Sequence, residues 1–303
     1  MFTIFLAIAP VFALILMGYG LRRGGIPSTK FWNLNDRLVY WVLMPALFFA
    51  KISAADLSGG LGDYAVLLYA GFFAAILCGW LFGRAYAAPQ GSSLMQGSAR
   101  FNTFIGLAIA EAVFGTAGLQ IAVLGSALLV PVVNVTVVTL MTRQLGGGGK
   151  SILKGLVKNP LILGILAGVL FNFAGLHEVP VLHESARILG DAALPIMLLC
   201  VGANLRLRGL SGSVSVIGLS IVGKHLVNPL AVLLAALVLN PAPLTLQIAL
   251  IFAALPTGVA SYTLAREMRG DAPLMAAIIT TQTLLSFFTL PLTLYLGSLI
   301  SAL

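Results

Sequence analysis

Long apolar stretches fill almost the entire chain, and few charged residues interrupt them. Of the 303 residues, 59% are hydrophobic and only 9% are charged. An α-helix needs about 20 apolar residues to cross a bilayer, whereas soluble domains carry about 25% charged residues. The stretches are continuous and do not alternate with polar residues, so they favour helices over the strands of a barrel. The sequence therefore predicts an all-α polytopic membrane protein embedded in a lipid bilayer.

Ten such stretches can be separated along the chain. They lie at 2–21, 32–52, 64–86, 94–115, 119–141, 156–175, 182–204, 213–238, 245–268 and 274–299. Between the fifth and the sixth, a polar linker contains four consecutive glycines, which cannot hold a helix. We therefore predict a first five-helix half at 1–143, a linker at 144–154 and a second five-helix half at 155–303.

Positive charges are distributed unevenly between the two sides of this predicted bundle. Thirteen of the 17 Lys and Arg residues fall on the side that holds the glycine-rich linker, the other side holds only Lys51 and Arg187, and Arg37 and Lys224 lie within spans. By the positive-inside rule, the linker faces the cytoplasm and both termini lie outside. The net charge of +8 thus indicates membrane topology, and we predict no nucleic-acid partner.

The two halves share residues at a constant offset. A shift of 150 residues superimposes four pairs of less common residue types, which are Pro10 on Pro160, Gly18 on Gly168, Arg37 on Arg187 and Pro45 on Pro195. A half with five spans begins and ends on opposite sides of the membrane, so the second half must be inserted upside down. We therefore predict two inverted five-helix repeats, an arrangement found in many transporters.

Two of the stretches contain residues that break helices. The fourth contains Arg100, Asn102 and Thr103, and the ninth contains Pro256 and Thr257, each group followed by a glycine. A broken helix exposes backbone N–H and C=O groups that need a partner from the protein, from water or from a ligand. Two broken spans in corresponding positions of two halves are typical of a transporter's binding site, where the spans cross near the bilayer midplane.

Asn102, Thr103, Pro256 and Thr257 are therefore predicted to form the substrate site. The N-terminal ends of the half-helices would present free N–H groups and a positive dipole end to an anion. The asparagine and threonine side chains can also hydrogen-bond a ligand. The alternative is that these side chains only satisfy the broken backbone.

Polar and ionisable residues in other spans could complete the site. Asn134 and Gln282 are further candidates for substrate binding, with ordinary hydrogen bonding between helices as the alternative. Ionisable residues at membrane depth are costly and usually functional. Asp191, Lys224 and Glu111 are therefore candidates for coupling to H⁺ or Na⁺, with Asp191 preferred, and Asp191 could pair with Lys224.

No resident metal or cofactor is predicted. The loop from His177 to Glu184 repeats His-Glu at a spacing that matches no zinc motif. Cys78 and Cys200 lie inside apolar stretches, as small buried side chains do. The sequence contains no nucleophile elbow, phosphate-binding loop or haem motif, so we do not predict an enzyme.

The two breaks and the fifth stretch resemble the auxin efflux carrier family in its short bacterial form. The family's fourth span typically reads Arg-x-Asn-Thr with a glycine shortly after, which Arg100, Asn102, Thr103 and Gly106 match. The segments 131–135, 255–257 and 262–266 resemble its fifth and ninth spans, and Gly270-Asp271 resembles its following turn. The chain departs from the family in one respect, because its fourth span has no proline at the crossing.

The resemblance implies a scaffold domain of spans 1, 2, 6 and 7 and a transport domain of spans 3–5 and 8–10. The fold would resemble that of bile-acid sodium symporters and sodium/proton antiporters, with an elevator-type motion and a homodimer formed through the scaffold. It also implies a place in the bacterial inner membrane. Plant relatives export the auxin anion, and bacterial relatives are linked to malate, malonate or similar carboxylates.

These patterns together predict a secondary active or facilitative transporter of a small organic anion, with helix dipoles rather than an arginine holding a carboxylate. A cation/proton antiporter on the same fold is the alternative, and it would need an acidic residue that neither break contains. An intramembrane enzyme would need paired carboxylates, paired histidines or a Ser/Lys dyad within a span. A membrane receptor without transport is the remaining alternative.

Overall fold

The computed structural model describes residues 2–55, 61–146, 158–177, 179–206 and 214–300, and the secondary structure in these ranges is entirely helical. The helices are α1 Phe2–Arg23, α2 Thr29–Leu38, α3 Met44–Ser53, α4 Leu61–Gly83, α5 Ala88–Ala99, α6 Thr103–Leu145, α7 Pro160–Phe173, α8 Leu182–Ala203, α9 Val214–Val222, α10 Asn228–Leu239, α11 Pro243–Ala254, α12 Ala260–Glu267 and α13 Ala272–Ile300. The prediction of an all-α chain is confirmed.

Two short π-helical segments connect α2 to α3 and α9 to α10. They span Val39–Leu43 and Gly223–Val227, and a proline follows each one at the start of the next helix, Pro45 in α3 and Pro229 in α10. Proline has no N–H group to donate to the carbonyl four residues earlier, so the regular α-helical ladder cannot continue through it. In a π segment the backbone hydrogen bonds join residues five apart instead of four, and this local change accommodates the missing N–H group of proline.

Six segments among the described residues are long and apolar enough to cross a membrane. They are Phe2–Arg23, Leu61–Gly83, Ala88–Leu145, Leu182–Ala203, Val214–Leu239 and Ala272–Ile300. Large apolar side chains such as Leu170, Leu226 and Leu237 lie exposed on the outside of the protein, where a bilayer would cover them. The chain therefore has the architecture of a multi-pass membrane protein.

The remaining predicted spans are divided among shorter helices. The second consists of α2, a π segment and α3, the sixth is the 14-residue α7, and the ninth is split into α11 and α12. The predicted fourth and fifth spans follow each other without a loop, because the backbone within α6 departs from helical geometry only at Gly115, with φ of 63°. Most of the predicted linker, residues 147–154, lies outside the described residues.

One group of helices packs through glycines that allow very close backbone contact. Helix α1 lies along α8, where a side chain at Gly18 would overlap the backbone of Leu199. Helix α3 lies along α7, where a side chain at Gly168 would overlap Ile52. Without a hydrophobic driving force between helices in lipid, small residues of this kind provide the contact that holds helices together.

A pair of glycines in α1 tests this packing. Gly18→Ala is expected to destabilise the protein by about 1–3 kcal/mol, because the new methyl group meets backbone that cannot move aside. Gly20→Ala is the matched control, since no atom lies within 4 Å of its added methyl group. Alanine is also the better helix former, so the control should be neutral or stabilising. Thermal unfolding in detergent measures both changes, and equal effects would contradict the packing described.

The second group of helices surrounds the two helix breaks. Helix α4 packs on both α5 and α10, and a side chain at Gly79 would overlap Ser98 of α5. Helices α9 and α13 contact α5 from other directions, and α11 packs against α13 and α6. The breaks therefore lie inside a packed bundle, where every exposed backbone group needs a partner within the protein.

Candidate functional site

The two helix breaks lie against each other. The first break separates α5 from α6 at residues 100–102, and the second separates α11 from α12 at residues 255–259. The backbone N–H of Asn102 donates to the carbonyl oxygen of Pro256 at 2.8 Å. A side chain at Gly258 would overlap the carbonyl oxygen of Phe101, so this close approach requires a glycine. Sequence reasoning identified both breaks correctly.

Asn102 caps the half-helix that follows the first break. Its side-chain Oδ1 accepts hydrogen bonds from the backbone N–H groups of Phe104 at 3.1 Å and Ile105 at 3.3 Å. These are N–H groups that an N-terminus otherwise leaves unpaired. Asn102 itself therefore satisfies donors that we expected a ligand to use. Its amide nitrogen makes no hydrogen bond to any described residue and is free to donate.

The second break is held by a buried network around Gln282 of α13. Oε1 of Gln282 accepts from the backbone N–H of Thr257 at 3.0 Å and lies 2.8 Å from its hydroxyl oxygen. Nε2 of Gln282 donates to the carbonyl oxygen of Gly97 at 2.9 Å and approaches Oγ of Ser220 at 3.4 Å. One amide thus connects the second break to α5 and α9.

A cavity of about 860 Å³ opens beside the first break. One wall is formed by Asn102, Thr103 and Asn134, together with residues 258–260 at the start of α12. The opposite wall comes from the π segment before α3 and from α7 and α8. The cavity therefore lies between the helices around the breaks and a wall that includes parts of α7 and α8.

The structure separates the six predicted substrate-binding residues into two sets. Asn102, Thr103 and Asn134 line the cavity, whereas Pro256, Thr257 and Gln282 do not. The side chains of Thr257 and Gln282 are buried and are used in the network that closes the second break. For these two, the geometry agrees with the alternative stated above, in which a polar side chain satisfies broken backbone.

Arg100 lines the same cavity, although sequence reasoning noted it in the first break and did not include it among the candidate site residues. Its side chain is 8% exposed, its Nη2 donates to Oδ1 of Asn134 at 3.1 Å, and its Nη1 is buried with no partner among the described residues. No carboxylate among the described residues forms an ion pair with it. The sequence did contain a reason to include Arg100. It lies between two glycines in an apolar stretch, and ionisable residues at membrane depth are usually functional.

The coupling candidates are not brought together. Asp191 is exposed on α8 and lies 3.6 Å from Arg187 on the same helix. Lys224 is 0% exposed, and its Nζ donates to the carbonyl oxygen of Phe252 at 3.3 Å. The suggested Asp191–Lys224 pair is therefore wrong. Glu111 is exposed and does not line the cavity.

Histidines and cysteines in the described part of the chain form no group that could hold a metal ion. Nδ1 of His177 lies 3.0 Å from the carbonyl oxygen of Ser53, and Nε2 of His183 lies 3.0 Å from its hydroxyl. Both imidazoles thus join the end of α3 to the start of α8. Glu178 of the His-Glu pattern lies outside the described residues.

Known proteins match almost the whole chain. The family described as "Membrane transport protein" matches residues 3–152 and 148–294. A Methanothermobacter thermautotrophicus protein named "Uncharacterized transporter" is 28% identical over 291 residues, covering 93% of this chain and 94% of its own. A Rhizobium meliloti protein named "Putative malonate transporter" is 29% identical over 312 residues, covering 95% and 94%. Given a helical architecture built around two broken spans and a family match over both halves, the chain belongs to the membrane transport protein family, the auxin efflux carrier family that its motifs resemble.

Proposed function

We propose that this membrane transporter carries a small organic anion, most simply a carboxylate, across the cell membrane by alternating access. The observation that carries the proposal is the cavity beside the first break, which Arg100 and Asn102 line, with no carboxylate of the described residues paired to the Arg100 guanidinium. Charge-assisted hydrogen bonds to a carboxylate are the strong kind. The name of the Rhizobium relative refers to a dicarboxylate of this class and supports the choice.

Within this proposal, the candidate residues divide by role. Asn102, Thr103 and Asn134 contact or orient the anion, together with Arg100, because all four line the cavity. Pro256, Thr257 and Gln282 hold the second break against α5, so that the first break keeps its shape. Substrate binding by an arginine replaces our expectation that helix dipoles alone hold the carboxylate, since Asn102 already caps the helix N-terminus.

The proposed architecture is two inverted five-helix repeats with a scaffold domain and a transport domain. Equivalent glycines support it, because Gly18 of α1 contacts α8 in the way that Gly168 of α7 contacts α3. The cavity lies between the helices assigned to the scaffold and those assigned to the transport domain, where an elevator-type displacement would move its contents. Domain boundaries at 1–143, 144–154 and 155–303, a homodimer through the scaffold and a cytoplasmic linker belong to the same proposal.

A cation/proton antiporter fits the site less well. Neither break contains an acidic residue, and the preferred coupling residue Asp191 is exposed on a different group of helices. The names of the family and of the relatives describe transporters and not enzymes. Coupling of anion transport to H⁺ or Na⁺ is left open by this proposal.

The proposal is tested by uptake of radiolabelled carboxylates into proteoliposomes. Vesicles preloaded with an unlabelled mono- or dicarboxylate are diluted into the same labelled anion, with malonate first in the panel and protein-free liposomes as the control. Saturable accumulation of one of these anions supports the proposal. If no carboxylate is taken up, while a sodium or pH jump alone produces a current on a supported membrane, the antiporter is the better description.

Asp191→Asn is expected to leave carboxylate uptake within about twofold of the wild type, as for an ordinary exposed substitution. The reason is that Asp191 lies exposed beside Arg187 and away from the cavity. The dependence of carboxylate uptake on sodium and proton gradients should also be unchanged in this variant. Uptake that becomes independent of a gradient in this variant, with normal protein levels, would restore Asp191 as the coupling residue.

A further inference from the structure

Arg100 is a buried cation without a counter-ion in the described part of the chain. Its guanidinium has one hydrogen bond, from Nη2 to Asn134, and one buried nitrogen without a partner. Two carboxylates also line the cavity, but neither forms an ion pair with Arg100. Asp36 accepts instead from Nδ2 of Asn204 at 2.9 Å, and Glu267 lies at the end of α12.

Charged and neutral donors line the cavity together with Arg100, and they come from Arg37, Lys158, Asn102 and Thr103. The Asn102 amide nitrogen and the Thr103 hydroxyl line the same wall and donate to no described residue. A carboxylate is the ligand that satisfies such a set, because it only accepts hydrogen bonds and supplies the missing negative charge.

The charge of Arg100 has a consequence for the transport cycle. When a carboxylate is bound, the guanidinium crosses between the two faces as part of an ion pair. When the site is empty, the same movement carries an uncompensated charge through a low-dielectric barrier, which costs free energy in any membrane protein. We propose that the protein is therefore an anion exchanger, whose loaded form reorients readily and whose empty form does not. This inference depends on the function proposed above.

The experiment compares exchange with net transport in one preparation. Proteoliposomes are loaded with a ¹⁴C-labelled monocarboxylate that the uptake panel identifies, because one negative charge balances the single charge of Arg100, and are diluted either into buffer without a transportable anion or into the same unlabelled anion. Efflux into the unlabelled anion is expected to be at least about tenfold faster, because only net efflux requires the empty site to return. Equal rates under the two conditions would overturn the inference. If the panel identifies only dicarboxylates, the same comparison is made at a pH low enough for the singly charged form to predominate.

Two substitutions separate the charge of Arg100 from its other roles. Arg100→Lys keeps the positive charge, so the preference for exchange should persist, although the loss of the planar guanidinium weakens anion binding. Arg100→Gln removes the charge, so the two efflux rates should become equal within about twofold at saturating anion. A strong preference for exchange that survives in Arg100→Gln would contradict the inference.

Failure of this inference can be distinguished from failure of the proposed function. If no carboxylate in the panel is transported by the wild type, the proposed function fails and the inference falls with it. If carboxylates are transported but net efflux is as fast as exchange, only the inference fails. Should Arg100→Gln be inactive, the wild-type and Arg100→Lys ratios still decide, because both forms retain the charge.

Discussion

Replacing Asn102 with alanine is expected to lower carboxylate uptake about 10- to 100-fold. The substitution removes the cap of α6, which is typically worth about 1 kcal/mol of stability, and the amide nitrogen available to the anion. A hydrogen bond to a charged group contributes about 1.5–3 kcal/mol, and each 1.4 kcal/mol corresponds to a factor of ten in affinity. One side chain performs both functions, so stability and uptake should both fall.

Asn102→Asp is the matched control, because aspartate caps a helix as well as asparagine does. This variant should keep the thermal stability of the wild type, yet it should also lose uptake, since it replaces the donor with a negative charge beside Arg100. Uptake by proteoliposomes and thermal unfolding in detergent are measured for both variants. If Asn102→Asp transports carboxylates normally, the side chain acts only as a helix cap and does not bind the anion.

The positions of both breaks could be predicted from the sequence, for a physical reason. Pro256 cannot donate a backbone hydrogen bond, and polar residues such as Asn102 are costly in an apolar span unless they have a partner. The residue types at these positions therefore indicated where helices end inside the bundle. That the breaks touch was also expected, and the hydrogen bond from Asn102 to Pro256 shows the contact.

The different roles of the side chains at the two breaks could not be predicted from the sequence. Thr257 and Asn102 each lie at a helix break, yet only Asn102 lines the cavity. Which side chains of the two breaks face the cavity depends on how helix groups distant in sequence pack together. The role of Arg100 in the cavity was missed for a related reason. A positive charge near the end of a span is usually interpreted as a determinant of membrane topology, unless the direction of its side chain is known.

Replacing Gln282 with leucine is expected to destabilise the protein by about 2–4 kcal/mol. The side chain is 0% exposed and makes hydrogen bonds to the backbone at Thr257 and Gly97. Leucine leaves the Thr257 N–H without its partner in a dry interior, where each unsatisfied group costs about 1–3 kcal/mol. The second break would then be attached to α5 only through the Thr257 hydroxyl, which donates to the carbonyl oxygen of Gly97 at 3.0 Å, so uptake should fall together with stability.

Gln96→Leu provides a matched comparison within the same bundle. Gln96 is also 0% exposed, but in the described part of the chain neither its amide oxygen nor its amide nitrogen has a hydrogen-bond partner. Replacing it with leucine removes two unsatisfied polar atoms, which is expected to be neutral or stabilising. The unfolding temperature in detergent should therefore fall for Gln282→Leu. For Gln96→Leu it should rise or stay the same. The two substitutions change the side chain identically. If both variants lose the same stability, the second break is therefore held by side-chain volume and packing and not by the Gln282 hydrogen bonds.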